Sequence, residues 1–272
     1  MNDHARFTPT HDTYSVQKWV GNRSTETTDR AAEEVPLSLV YNGMQHVVMM
    51  ATPADLEDFA LGFSLSEGVL GKREELLSIE TAPVADGVSL RMEIDFLRYL
   101  PLEEQHRNQA GRTGCGLCGA ETIEQAVRHP APVGEGVRIG ANVLERALAQ
   151  LGSKQTLNAL TGAVHAAAWV TTRGDLVAVR EDVGRHNALD KMIGAVMRED
   201  VGLTDGFAII TSRASFEMVQ KAATLGISVL AAISAPTGLA IRLAQETGMT
   251  LVGFARAGQF NVYSNAHRIS TR

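Results

Sequence analysis

Both cysteines of the chain lie in one short stretch, Thr113-Gly114-Cys115-Gly116-Leu117-Cys118-Gly119. Three glycines interleave them, which frees the backbone and lets a bulky partner approach either sulfur. Arg112 stands just upstream, and residues 120–127 read as a short helix. A neighbouring cation and a helix N-terminus both stabilise thiolate over thiol, and the thiolate is the nucleophile. The chemistry expected here is therefore that of an exposed, reactive sulfur. Other readings of a Cys-x-x-Cys pair compete with it. A zinc site needs four ligands; the chain has no second cysteine pair, so two histidines would have to complete it. A thioredoxin-like dithiol sits at the end of the first strand of a small βαβ unit, whereas here more than a hundred residues come first. A purely structural pair does not usually come wrapped in glycine.

The rest of the chain has to position that loop. With 272 residues and 44% hydrophobic content, it can bury one large core or two modest ones. No apolar run approaches the ~18 residues of a membrane span, and the polar start, Met1-Asn2-Asp3-His4-Ala5-Arg6, lacks the apolar block of a secretory signal. Two cysteines in one motif cannot make a disulfide framework, so a reducing cytoplasm is expected. The formal charge of -6 argues against broad nucleic-acid binding. Any anionic ligand must be held by a local cluster.

Residues 1–35 read as a mobile tail followed by a polar loop, and residues 36–110 as a small α+β unit. In that unit, strand-like segments at 37–41 and 45–50 flank Asn42-Gly43, a hairpin signal. Thr52 reads as an N-cap, with Pro53 at the first helical position and Asp55 closing a capping box. Leu56, Phe59, Ala60 and Phe63 recur at helical spacing and are expected in the core, with Gly68 as the stop. Strands follow near 76–82 and 88–96. The charged stretch 97–112, interrupted by Pro101, reads as the connection between two halves.

Residues 111–272 read as an α/β domain that carries the cysteine loop and the ligand site. Helices are expected at 142–151 and 154–160, and paired strands at 166–172 and 176–180 across Arg173-Gly174-Asp175. A helix at 186–197 carries Lys191 and Arg198 on its flank. Strands at 207–211, 228–233 and 250–254 then alternate with helices at 215–225 and 237–245, the signature of a layered domain with a largely parallel portion of sheet. In open sheets of this kind ligands collect at the carboxyl ends of the strands. Three loops would meet there: Thr211-Ser212-Arg213-Ala214-Ser215, Ser234-Ala235-Pro236-Thr237 and Phe254-Ala255-Arg256-Ala257-Gly258-Gln259. Each offers hydroxyls, cations or helix-start N–H groups suited to phosphate, although well-capped helices alone would explain any one of them. Arg185-His186-Asn187 at a strand-to-helix junction fits the same purpose. His165, ahead of an apolar strand, fits a hydrogen-bonded structural residue at least as well.

Five motifs, in order, carry a resemblance. They are residues 113–119, Thr161-Gly162-Ala163-Val164-His165, residues 181–191 (EDVGRHNALDK), Ser215-Phe216-Glu217-Met218-Val219 and Ser234-Ala235-Pro236-Thr237. Over residues 36–263 the chain resembles the FdhD family, the formate dehydrogenase accessory sulfurtransferases. The family's usual residue is glycine where this chain has Ala163 and Ser212. The resemblance implies a sulfur carrier that takes persulfide sulfur from a cysteine desulfurase and delivers it to the molybdenum bis(molybdopterin guanine dinucleotide) cofactor of formate dehydrogenase. It implies Cys115 as the persulfide carrier, with Cys118 in support. It further implies a cofactor-binding stretch at Phe254, Ala255, Arg256, Ala257, Gly258 and Gln259, to which the strand-end loops read above add Arg213, Ser234 and Thr237; a guanine nucleotide such as GDP would be a mimic of the cofactor.

A three-layer larger domain like the cytidine deaminase fold is implied too, beside the smaller N-terminal α+β unit. The zinc deaminase signature is absent, because His165-Ala166-Ala167 has no glutamate two positions after the histidine. A client with two guanine dinucleotides suggests a homodimer with one site per subunit. The alternative is a cofactor-binding chaperone that transfers no sulfur.

Overall fold

The computed structural model describes residues 8–109, 128–199, 201–256 and 258–271. Cys115, Cys118 and their loop therefore lie outside the described residues, as does Ala257.

The N-terminal region departs from the expected tail and loop. Strands β1 (His11–Val20) and β2 (Arg23–Ala32) form an antiparallel ribbon in register from His11–Ala32 to Val20–Arg23. The two-residue turn Gly21-Asn22 closes it, with Gly21 at φ 60°. Nearly every residue of the ribbon is exposed, including Trp19 and Val20 beside the turn.

Next come β3 (Val35–Tyr41), β4 (Met44–Ala51), α1 (Leu56–Ser66), β5 (Leu76–Val84), β6 (Gly87–Ile94) and α2 (Phe96–Gln109). The strands make a four-stranded sheet ordered β4-β3-β6-β5, and the Asn42-Gly43 hairpin falls where the sequence puts it, both residues at positive φ. Alternate residues of β3, Leu37, Leu39 and Tyr41, turn inward against α1, whose Leu56, Phe59, Ala60 and Phe63 complete the core. One expectation fails here. Thr52 does not cap α1, because its groups are taken by residues far along the chain; Asp55, in the left-handed region at φ 52°, is the capping position and makes no side-chain cap bond. The stretch read as the connection between the halves is helical over its described part, Phe96–Gln109, and runs through Pro101. Asp95 starts it by accepting the Leu97 N–H on its side chain (2.8 Å) and the Arg98 N–H on its carbonyl (3.0 Å).

The second half contains β7 (Ile139–Gly140), α3 (Ala141–Lys154), α4 (Thr156–Thr161), β8 (His165–Thr171), β9 (Leu176–Asp182) and α5 (Arg185–Arg198). It continues with β10 (Gly206–Ile210), α6 (Phe216–Thr224), β11 (Val229–Ala232), α7 (Gly238–Glu246), β12 (Thr250–Arg256), β13 (Gln259–Ser264) and β14 (Ile269–Ser270), the last pairing with β7. A six-stranded sheet runs β13-β12-β11-β10-β8-β9. Its centre, β10, β11 and β12, is parallel, while β8, β9 and β13 run antiparallel to their neighbours. One face (Trp169, Ala208, Ile210, Leu230, Leu251) is covered by α5, α6 and α7; the other (Val170, Phe207, Ile209, Val229, Val252) is covered by α3. Helices thus lie on both sides of the sheet, as the β-α-β alternation requires.

The two sheets are joined through α1 and α5, which lie against each other with almost no gap. A Cβ on Gly62 would fall on the Asp190 carbonyl oxygen, and one on Gly194 on that of Asp58. Only glycine permits this approach.

Candidate functional site at the sheet end

Because β10, β11 and β12 are parallel, the loops leaving them share one edge, and short backbone bonds stitch the loops together. The Thr237 N–H donates to the Ala214 carbonyl (3.0 Å), and the Phe254 N–H to that of Ser234 (3.1 Å). Thr211 exchanges bonds with Ala166, giving its N–H to that carbonyl (3.0 Å) and accepting the Ala166 N–H on its hydroxyl (2.9 Å). Antiparallel β8 starts at this edge and β9 ends at it, with His165 opposite Asp182. Arg213, Ser234, Thr237, Phe254, Ala255 and Arg256, read from three separate loops, thus stand along one edge, followed by Gly258 and Gln259. Arg213 and Arg256 are exposed, and Ala255 is buried.

Thr237 is a true N-cap of α7, its hydroxyl accepting the Ala240 N–H. Ser215 holds the cap position of α6 but makes no side-chain cap bond. Phe254 sits at φ 52° in a bulge where the pairing of β12 with β13 shifts register between Gly253 and Arg256. A bulky residue there is strained, and such strain gathers at functional edges. Phe254 is also exposed.

The run 181–191 divides into two groups. Asp182, Asn187, Asp190 and Lys191 turn inward, so Lys191 is not on a solvated flank and Asn187 does not face the edge. Asp182 pairs with Lys191 at 2.7 Å, and both side chains are wholly buried. Asp182 also accepts the N–H groups of Thr52 (3.0 Å) and Gly184 (2.7 Å) and the amide of Asn187 (3.0 Å). Lys191 and Asn187 donate in addition to the carbonyls of Thr52 (2.9 Å) and Met50 (2.8 Å). A second cluster lies nearby. Lys221 reaches Asp190 (2.9 Å), Glu67 (2.7 Å) and the Ser66 hydroxyl (2.9 Å), and Glu67 also takes the Arg128 guanidinium. Burial pushes the Lys221 ammonium down, but Asp190 and then Glu67 outweigh it and leave it above the usual lysine range. Arg128, the first described residue after the cysteine loop, is fixed further by its N–H to Gln220 Oε1 (3.2 Å). These charges clamp the two halves of the molecule, and their partners lie up to 155 residues apart.

Arg185 and His186, in contrast, stay at the edge. His186 Nε2 is 2.7 Å from Glu217 Oε2 on α6, within ion-pair range though out of hydrogen-bonding alignment. The imidazole beside it holds the Glu217 carboxyl below the usual carboxylate range. His165, half-buried, is shifted down by desolvation and then by the charges of Arg185 and His186. Arg185 and His186 thus stand close enough to His165 to disfavour its protonation, with Glu217 beside them as the counter-charge. Glu217 has no sequence signal beyond that of an acid in the first turn of a helix.

The FdhD/NarQ family model matches residues 32–270. A sulfur carrier protein FdhD of Cupriavidus necator is 49% identical over 261 residues, 96% of this chain and 91% of that protein. The sulfur carrier protein FdhD of Bordetella bronchiseptica is 49% identical over 89% of this chain and 88% of its own length. A crystal structure from Desulfotalea psychrophila, described as a candidate formate dehydrogenase accessory protein, superposes with a TM-score of 0.80. It covers 96% of this chain and 100% of its own at 23% identity, a likeness of fold.

Proposed function

Since this chain belongs to the FdhD/NarQ family, we propose that it is a sulfur carrier serving formate dehydrogenase. Sulfur from a cysteine desulfurase is held on Cys115 and passed to the molybdenum bis(molybdopterin guanine dinucleotide) cofactor before that cofactor is inserted. The observation that carries the reading is the joint presence of family membership over residues 32–270 and both cysteines in one glycine-rich motif. In the loading step the Cys115 thiolate attacks the terminal sulfur of the desulfurase persulfide. A new S–S bond forms on Cys115, the desulfurase cysteine leaves as a thiolate, and no external oxidant or reductant is consumed. Cys118 supports the exchange, and a reducing cytoplasm keeps the two thiols unpaired.

The sheet end fits the cofactor as a substrate. Its guanine dinucleotide tails are anionic, and Arg213, Arg256 and Arg185 along one edge oppose that charge. The bulged, exposed Phe254 adds an apolar face beside them. A cofactor with two such tails would be met by two copies of the chain.

The test is mass spectrometry after incubation with a cysteine desulfurase and cysteine. One added sulfur on Cys115, lost in Cys115→Ala while GDP binding persists, is the expected result. Sulfur found elsewhere in the chain, or none at all, would overturn the proposal.

A further inference from the structure

Strands β1 and β2 make a sheet of their own, and among the described residues no third strand pairs with it. Each strand has ten residues, a length of about 34 Å. β2 lies beside the short helix α4 (Thr156–Thr161), yet nearly every side chain of the ribbon is exposed. A lone two-stranded hairpin is marginal in water, and its free edges and faces invite another chain.

The charges along the ribbon are sorted. Residues directly opposite each other share a face, and successive residues alternate between faces. On the face of the even-numbered β1 residues, Asp12 and Asp29 occupy the two rows nearest the base, and Lys18 and Arg23 the two rows nearest the turn. Val16, half-buried and opposite Thr27, marks the middle row. Tyr14 and Val20 add exposed apolar surface between the charges. The Tyr14 hydroxyl donates to Glu33 (2.7 Å), a further acid at the base. Among the described residues, none of the four sorted charges has an ion-pair partner within the chain.

A ribbon that is acidic at one end and basic at the other is complementary to itself when reversed. Turned end for end about the Val16 row, a second copy lays its Arg23 row on Asp12 and its Lys18 row on Asp29. Symmetry repeats both contacts. Laid in the same direction instead, the two copies would set like charges against each other, which is unfavourable. The opposite face is sorted less fully, with Arg30 and Glu26 in its two halves beside the exposed Trp19.

We propose that the even-numbered face of this ribbon packs on the same face of a second copy of the chain, reversed, in an isologous twofold pair. Apolar contact at Tyr14, Val16 and Val20 supplies the adhesion, while the exposed charges, worth little each, fix the direction. The pairing gives a surface to the two copies that a two-tailed cofactor would meet, and it needs neither cofactor nor sulfur donor.

Sedimentation of the full chain tests it. The parent should dimerise. Lys18→Glu with Arg23→Glu should weaken the dimer by about tenfold or more, and so should Asp12→Lys with Asp29→Lys. Mixed in equal amounts, the two doubly reversed chains should pair with each other, because opposite charges again meet at both ends. Trp19→Ser, on the other face, should leave the dimer constant unchanged. Circular dichroism verifies that each variant is folded. A monomeric parent, a dimer indifferent to both reversals, or reversed chains that do not pair when mixed overturns the proposal. So does a loss on Trp19→Ser as large as that of the reversals, since the contact would then lie on the other face. Persulfide loading on the parent keeps the two ideas apart: loading without dimers defeats the pairing alone, and dimers without loading defeat the sulfur-carrier reading alone.

Discussion

Lys191 Nζ lies 2.7 Å from Asp182 Oδ2, and neither side chain has any exposure to solvent. The pair joins the middle of α5 and the end of β9 to the Thr52 turn ahead of α1, Lys191 and Thr52 being 139 residues apart in sequence. Removing one member of a buried pair leaves an uncompensated charge, which costs about 3–5 kcal/mol. Lys191→Met should lower unfolding stability in urea by that order. The double variant with Asp182→Asn should recover part of the loss, since it leaves no lone charge.

The acid limb of the stability curve should depend on Glu67. Burial pushes its carboxyl up, but Lys221 and then Arg128 outweigh this and hold it below its ordinary value of 4.5. A depressed folded value means that stability is fully present above the unfolded value and is lost as the pH falls through the folded one. The parent chain should therefore melt higher than Glu67→Gln at neutral pH, and the gap should close as the pH falls through and below the ordinary glutamate range. A gap that stays constant through that range would argue against the assignment.

Helix α4 is held at its start by a remote acid. Glu181 accepts the N–H groups of Leu157 and Asn158, each at 2.8 Å. Loss of such a cap costs about 1–2 kcal/mol, so Glu181→Ala should show that drop in chemical denaturation. Hydrogen exchange should quicken locally in residues 156–161.

The glycines at the α1–α5 contact should tolerate nothing larger. In both Gly62→Ala and Gly194→Ala the new methyl would strike a backbone carbonyl, which cannot rotate aside. Overpacking of this kind costs about 1–3 kcal/mol, occasionally more. Each variant should lose at least that much, against a surface control such as Gly152→Ala, where a Cβ meets nothing.

Much of the second half could be read from sequence because its order is local. Apolar runs such as 207–210 and 229–232, separated by amphipathic helices, dictate a β-α-β sheet and hence which loops share an edge. What escaped was set by distance. Lys191 looks like a surface cation between Asp190 and Met192, and only the fold supplies Asp182, Thr52 and a dry setting. Thr52 has the local marks of a helix cap, yet long-range bonds claim it. The ribbon of residues 11–32 is exposed at nearly every position, so its sequence carries no clear core-facing alternation, and Gly21-Asn22 is its hairpin signal. At the candidate site, Arg213, Ser234, Thr237 and Phe254 were legible as neighbours because parallel strands force it. The meeting of His186 with Glu217, by contrast, depends on how α5 and α6 pack.

The seam between α1 and α5 also limits how the molecule can move. Sliding one helix past another needs room for the contacts to change, and at Gly62 and Gly194 backbone already presses on backbone. Both sheets must travel as one block, so whatever flexing accompanies its work falls to the loops at the rim.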